Sequence, residues 1–160
     1  MKAKIFFTVA LLAIGFLPVQ AQSSDMFEKL SNHRDVTSVY ISRTLLRMMS
    51  NFDVGGADVR SLAGRLEQIE IHNSNGNAEA NRIIREGMEQ LEKSDDYELL
   101  LRIRDGNSGG NIVFYAKKED EYFRDLIMHI EEANNSTIIR IMGAFTAEDI
   151  QGVMDSKKGN

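Results

Sequence analysis

The chain has 160 residues and a formal net charge of −5, with no cysteine, no tryptophan and a single proline. Thiol catalysis and disulfide stapling are excluded, and there is no cysteine to carry a lipid anchor. An acidic chain repels phosphate backbones and anionic headgroups, which argues against nucleic-acid binding and electrostatic membrane binding.

The amino terminus reads as a targeting segment. Lys2 and Lys4 precede an apolar run from Ile5 to Leu17, interrupted by Thr8 and Gly15. Pro18 ends any helix, and Val19-Gln20-Ala21 supplies the small-x-small pattern of a signal-peptidase site. The expectation is a cleaved signal peptide over residues 1–21, cut before Gln22, with the mature protein exported, most simply to a periplasm. The apolar run is shorter than the roughly 20 residues that a spanning helix needs. Residues 22–160 then form a single globular domain of 139 residues with 17 basic and 24 acidic side chains, a net −7. That length closes one core without staples.

Along the mature chain, Met26, Phe27 and Leu30 share one face of a short helix that Ser24 or Asp25 caps. Val36 to Ser42 is rich in β-branched residues and predicts a strand. Leu45, Leu46, Met48 and Met49 crowd one side of the helical turns that follow, with Arg43 and Arg47 on the other. Asp53 to Gly56 is a turn, and Asp58 caps a short helix to Leu62 and Ala63. Leu66 to His72 predicts a second strand, with Ile69 and Ile71 pointing the same way. Asn77 caps the longest helix, to about Lys93, whose stripe is Ala80, Ile83, Ile84, Met88 and Leu91. Gly87 beside that stripe lowers helix propensity by about 1 kcal/mol and suggests close approach to a strand.

The second half predicts four strands in a meander: Tyr97–Arg104, Ile112–Lys117, Tyr122–Glu131 and Thr137–Phe145. A Gly-rich turn at Asp105–Gly110 joins the first two. The last strand is apolar on both faces, through Ile138 and Met142 and through Ile139 and Ile141, which places it centrally. Thr146 to Asp149 resembles a capping box and opens a final helix carrying Ile150, Val153 and Met154. The tail frays after about residue 155. The pattern predicts an α+β fold: a mixed, largely antiparallel sheet of about six strands, with helices packed mainly on one face.

No constellation of catalytic, cofactor-binding or metal-binding residues emerges. His33, His72 and His129 lack partners at metal-ligand spacing. There is no G-x-S-x-G elbow and no phosphate-binding loop. The acidic pairs Asp95-Asp96, Glu119-Asp120-Glu121 and Glu131-Glu132 sit at turns and element ends, where solvated charge is the default. Asn73 to Glu79 alternates oxygen ligands but lacks the invariant positions of an EF-hand. Leu45, Met48, Met49 and Phe52 form a candidate partner patch, since methionine-rich surfaces adapt to varied partners, although core filling is the simpler account of them.

Several segments together resemble the family known as domain of unknown function 4252. They are Val39-Tyr-Ile-Ser42, Gly55-Gly56, Leu62-Ala-Gly-Arg-Leu-Glu67 with Ile69 and Ile71, Ile141-Met-Gly143, and Phe145-Thr-x-Glu-Asp-Ile150. The resemblance spans nearly the whole mature chain. It implies a small exported protein of a Gram-negative bacterium, without an established activity or site residues, and an association with envelope signalling. Many family members are lipoproteins, and this chain departs from them in lacking the lipobox cysteine. The resulting expectation is a non-enzymatic periplasmic binding or adaptor domain for an envelope protein or small ligand. The alternative is an envelope hydrolase with a site assembled from distant residues, such as His72 or His129 beside a carboxylate.

Overall fold

The computed structural model describes residues 22–49, 64–106 and 109–155. Its elements run α1 (Gln22–Ser31), β1 (Thr37–Ser42), α2 (Arg43–Met49), β2 (Leu66–Asn73), α3 (Ala78–Glu92), β3 (Tyr97–Arg104), β4 (Asn111–Glu119), β5 (Tyr122–Glu132), β6 (Asn135–Phe145) and α4 (Ala147–Asp155). The six strands form one sheet in the order β1-β2-β6-β5-β4-β3. The fold is α+β, and every strand pairing is antiparallel. The mixed sheet expected from the sequence is thereby corrected. β1 and β2 run antiparallel, in register from Thr37 opposite Asn73 to Ser42 opposite Gln68. Here α2 packs on β1 and β2 themselves.

β6 is central, as its doubly apolar sequence requires, and pairs with β2 on one side and β5 on the other. β3, β4, β5 and β6 are the expected meander. Several expectations lie outside the described residues. They are the leader over residues 1–21, the Asp53–Gly56 turn, the helix capped by Asp58, Asn107-Ser108 of the β3–β4 turn, and the tail beyond residue 155.

Side chains of an antiparallel sheet alternate between its faces. One face carries Ile138, Ile127, Val113 and Tyr115, which pack with Met26, Phe27 and Leu30 of α1 and Ala80, Ile84, Met88 and Leu91 of α3. Leu30, Ile84, Ile127 and Ile138 are fully buried, each contributing roughly 1.5–3 kcal/mol of transfer free energy. A second, smaller cluster lies at one end of the opposite face, where Ile150 of α4 packs against Ala116, Leu126, Phe145 and their neighbours.

The starts of α3 and α4 are capped as their sequences predict. Asn77 accepts a hydrogen bond from Ala80 N at 3.0 Å. Asp149 accepts from Thr146 N at 2.8 Å, and Asp149 N donates to Thr146 Oγ1 at 3.3 Å. Arg65 pairs with the same Asp149 carboxylate and ties the start of β2 to α4.

Gly87 allows close approach to a helix, not to a strand. A Cβ there would lie 2.9 Å from Met26 Cβ, so the glycine lets α1 lie against α3. The Gly87→Ala variant gains about 1 kcal/mol of helix propensity but must push α1 away, at about 1–3 kcal/mol. Net destabilisation is expected, read as a lower urea midpoint; a raised midpoint would contradict this packing.

Candidate functional site

Two features of the sheet qualify as candidate sites: a polar network under the helices and an apolar panel on the opposite face.

The network begins at the edge strand. Ser38 and His72 are direct cross-strand partners, and Ser38 Oγ shares a 2.8 Å hydrogen bond with His72 Nδ1. His72 is buried and its ring tilts against Phe27 at 5.7 Å between centroids. Glu70 lies two residues earlier on the same face. His72 is the largest influence holding the Glu70 carboxyl below its ordinary pKa, with burial opposing and Arg140 assisting. Even so, Glu70 Oε2 and His72 Nε2 each lack a partner at hydrogen-bonding geometry.

Arg140, opposite Glu70 on β6, reaches Asp125 through Nε at 3.0 Å and Nη2 at 2.7 Å. Tyr97 donates to the same carboxylate at 2.8 Å, and the guanidinium lies 4.9 Å over the Phe27 ring. Burial works against the Arg140 charge, yet the hydrogen bonds and field of Asp125 raise its pKa above the ordinary value. Such a pair is costly to break, because removing one partner strands a buried charge. His129 lies across Ile138 from His72. It is buried and its Nε2 has no partner among the described residues. Burial lowers its pKa from the ordinary 6.5, with Glu131 opposing weakly.

The network places His72 near the Glu70 carboxylate, the pairing that the hydrolase reading named, and adds Ser38 on the other side of the imidazole. It lacks the rest of an acyl-transfer site. Ser38 lies within a regular strand, and its N–H is not part of a turn that could gather oxyanion donors. A groove of about 570 Å³ lies elsewhere, along the outer sides of α1 and α3, lined by polar and charged residues including Asp25, Lys29, His33, Glu79, Arg82 and Glu86. Those charges pair among themselves, Lys29 with Asp25 and Arg82 with Glu79 and Glu86. Neither His72 nor His129 lines that groove. Among the described residues, no group of three or more His, Asp or Glu side chains could hold a metal ion.

The opposite face differs in kind. Strand register aligns Val39, Ile71, Ile139, Met128, Phe114 and Leu101 in one row across all six strands. The next row is Thr37, Asn73, Thr137, Ile130, Ile112 and Ile103. Neither row contains a charged residue. All the members on the four inner strands are half-buried, while Val39 and Ile103 at the two edges are 43% and 49% exposed. On the helix-covered face, by contrast, Ile127 and Ile138 are fully buried at equivalent depth. Among the described elements, α4 closes only the far end of this panel.

Of the residues expected to form a partner patch, Leu45 and Met48 are exposed, at 45% and 60%. Their neighbour Leu46 turns inward and is buried. The Met49 side chain and Phe52 lie outside the described part of the molecule. Asp95-Asp96 and Asp120-Glu121 lie at exposed turns, with Asp96 near Lys117 and Glu119, the last residue of β4, near Arg124; Glu131-Glu132 end β5, where Glu131 is half-buried. The Asn73–Asn77 loop is filled by its own hydrogen bonds: Asn75 N donates to Asn73 Oδ1 at 2.8 Å, and Asn75 Nδ2 to Asp35 O at 2.9 Å.

Sequence reasoning missed both the apolar panel and the Glu70–Arg140–Asp125 network. The alternation of Ile69 and Ile71, and the doubly apolar β6, were signals for the panel. They become a surface only once the strand order is known.

A family model described as a domain of unknown function (DUF4252) matches residues 27–153. No curated protein matches the chain. The crystal structure of a protein of unknown function from Pseudomonas aeruginosa matches at a TM-score of 0.37 and 14% identity, over 79% of this chain and 81% of that one. A likeness that loose does not bear on the site.

The buried histidine gives a pH prediction. Because the His129 pKa is lowered in the folded protein, the unfolded chain binds that proton more readily. Its contribution to stability is present above the unfolded value of 6.5 and is lost as pH falls through that value towards the lower folded one. The denaturation midpoint should therefore drop between about pH 7.5 and 5, and the His129→Leu variant should show a flatter profile over that window. An equal slope in both proteins would remove His129 as the cause.

Proposed function

The chain belongs to the DUF4252 family, which has no assigned activity, and from that premise we propose that it is an exported, non-enzymatic binding or adaptor domain of the bacterial envelope. The observation that carries this reading is the uncharged panel spanning all six strands, with its edge residues Val39 and Ile103 exposed. Among the described elements only α4 meets this panel, at one end, and an apolar panel left open marks a contact surface. The exposed Leu45 and Met48 extend the apolar character to α2 at the β1 edge. Export is supported by the positive, apolar and small-residue succession of residues 1–21, and a tie to envelope signalling by the family resemblance alone. Among the described residues no helix is long and apolar enough to cross a membrane.

Two measurements test this. An environment-sensitive apolar dye should brighten on the protein at low micromolar concentration. The Val39→Lys, Ile103→Lys double variant should reduce that signal several-fold with unchanged circular dichroism. Fractionation of expressing cells should find a chain beginning at Gln22 outside the cytoplasm. A dark dye on a chain that sediments as a monomer would remove the docking surface; a full-length cytoplasmic chain would remove the envelope role.

A second reading, an envelope hydrolase, draws on the 2.8 Å contact between Ser38 and His72 beside Glu70. The missing oxyanion donors weigh against it. A fluorophosphonate probe is expected to leave Ser38 unlabelled, as read by peptide mass spectrometry. Labelling that disappears in Ser38→Ala would reverse the order of the two readings.

A further inference from the structure

The panel has a shape as well as a composition. Six strands about 4.8 Å apart and two same-face rows about 7 Å apart make a surface roughly 29 Å wide and 14 Å tall. A single covering helix, about 10 Å across, would close only a third of that width. The 14 residues between Met49 and Gly64 include only Phe52, Val54, Val59 and Leu62 as larger apolar side chains, too few to fill both rows as far as β3. A second twisted antiparallel sheet fits the whole width, since two such sheets stack face to face about 10 Å apart with their strands within about 30°.

We infer that this panel is the interface of a symmetric dimer, in which the same face of a second copy completes a sheet-on-sheet sandwich. The inference rests on the reading of the panel as a docking surface and adds the identity of its occupant. A two-fold axis through the panel brings the β1 side of one copy over the β3 side of the other. The row Val39, Ile71, Ile139, Met128, Phe114 and Leu101 is apolar from end to end, so this reversal places apolar on apolar throughout. The second row meets its counterpart through Ile103, Ile112 and Ile130 over the smaller Thr37, Asn73 and Thr137, alternating bulk and relief. Asn73 Nδ2 already donates to Thr137 Oγ1 at 2.8 Å, so burying that pair leaves this donor satisfied.

Size and charge set the strength of the dimer. Two panels in contact bury at most about 1,000 Å² in total, the lower bound for a specific interface and far below an obligate one. The dimer is therefore reversible, with a Kd in the micromolar range. Each copy is net acidic, −5 over the whole chain, while these two rows are uncharged. Repulsion between the copies is long-range and screened by salt, so added salt strengthens association.

Sedimentation velocity on the purified chain, from about 1 to 300 µM, tests the inference. The expected result is a monomer–dimer equilibrium that tightens as salt rises from about 0.05 to 0.5 M. The Val39→Lys, Ile103→Lys double variant, altered only at exposed edge positions, should dissociate at least tenfold more readily. Leu99→Lys lies on the same edge strand but faces the helix side and is 43% exposed; it should leave the equilibrium unchanged. A dimer disrupted by Leu99→Lys and not by the double variant would overturn the assignment to this face. A monomer at every concentration that still brightens the apolar dye would overturn the second copy as occupant and leave the docking surface standing. A monomer that leaves the dye dark would remove both.

Discussion

A six-stranded sheet has two faces, and the alternation of side chains sends apolar residues to both. Everything else in this molecule follows from how those two faces are closed. α1 and α3 lie side by side on one face, brought together where Gly87 meets Met26. Their buried apolar side chains meet Ile138, Ile127, Val113 and Tyr115 from the sheet. Among the described elements, the other face is closed at one end only, by α4. Water is thus removed from one face by the chain's own helices, while the apolar rows of the other remain in partial contact with it. The hydrophobic effect makes that asymmetry unstable against any apolar surface of matching shape.

The covered face is not purely apolar, which is unusual for a sheet so well shielded. Glu70, His72, Arg140, Asp125 and His129 all point towards the helices. Asp125 is satisfied by Arg140 and Tyr97, and the Arg140 guanidinium also uses the Phe27 ring. A network of this kind adds little net stability over an apolar replacement of equal volume, but it penalises any register that would separate its members. A one-residue slip of β6 against β5 would turn Arg140 to the other face and strand Asp125. The network thereby holds in place the register that also assembles the apolar panel.

Much of the fold was legible from local pattern. The strands opening at Leu66, Tyr97 and Tyr122, the last strand from Thr137 onward, the caps at Asn77 and Thr146, and the central position of β6 all follow from propensity, alternation and capping chemistry. The parallel component of the expected mixed sheet did not form: β1 returns on β2 antiparallel, and strand direction leaves no mark in local pattern. The contact at Gly87 was legible as a close approach but not as an approach to α1. Nothing in periodicity says which of two apolar elements a glycine will face. The expected patch at Leu45 and Met48 is exposed at the α2 corner, beside a far larger apolar surface that the linear sequence did not disclose.

By itself, the sequence determined which segments become strands and helices, the absence of thiol chemistry, the acidic charge and the family. These are properties of single residues and short windows, set by backbone preference and side-chain chemistry. Only the tertiary structure decided that Val39 and Leu101, 62 positions apart, belong to one row, and that Glu70, Arg140 and Asp125 share one network. Those relations depend on strand order and register, which are fixed by long-range hydrogen bonding and burial. Neither leaves a local trace in the chain.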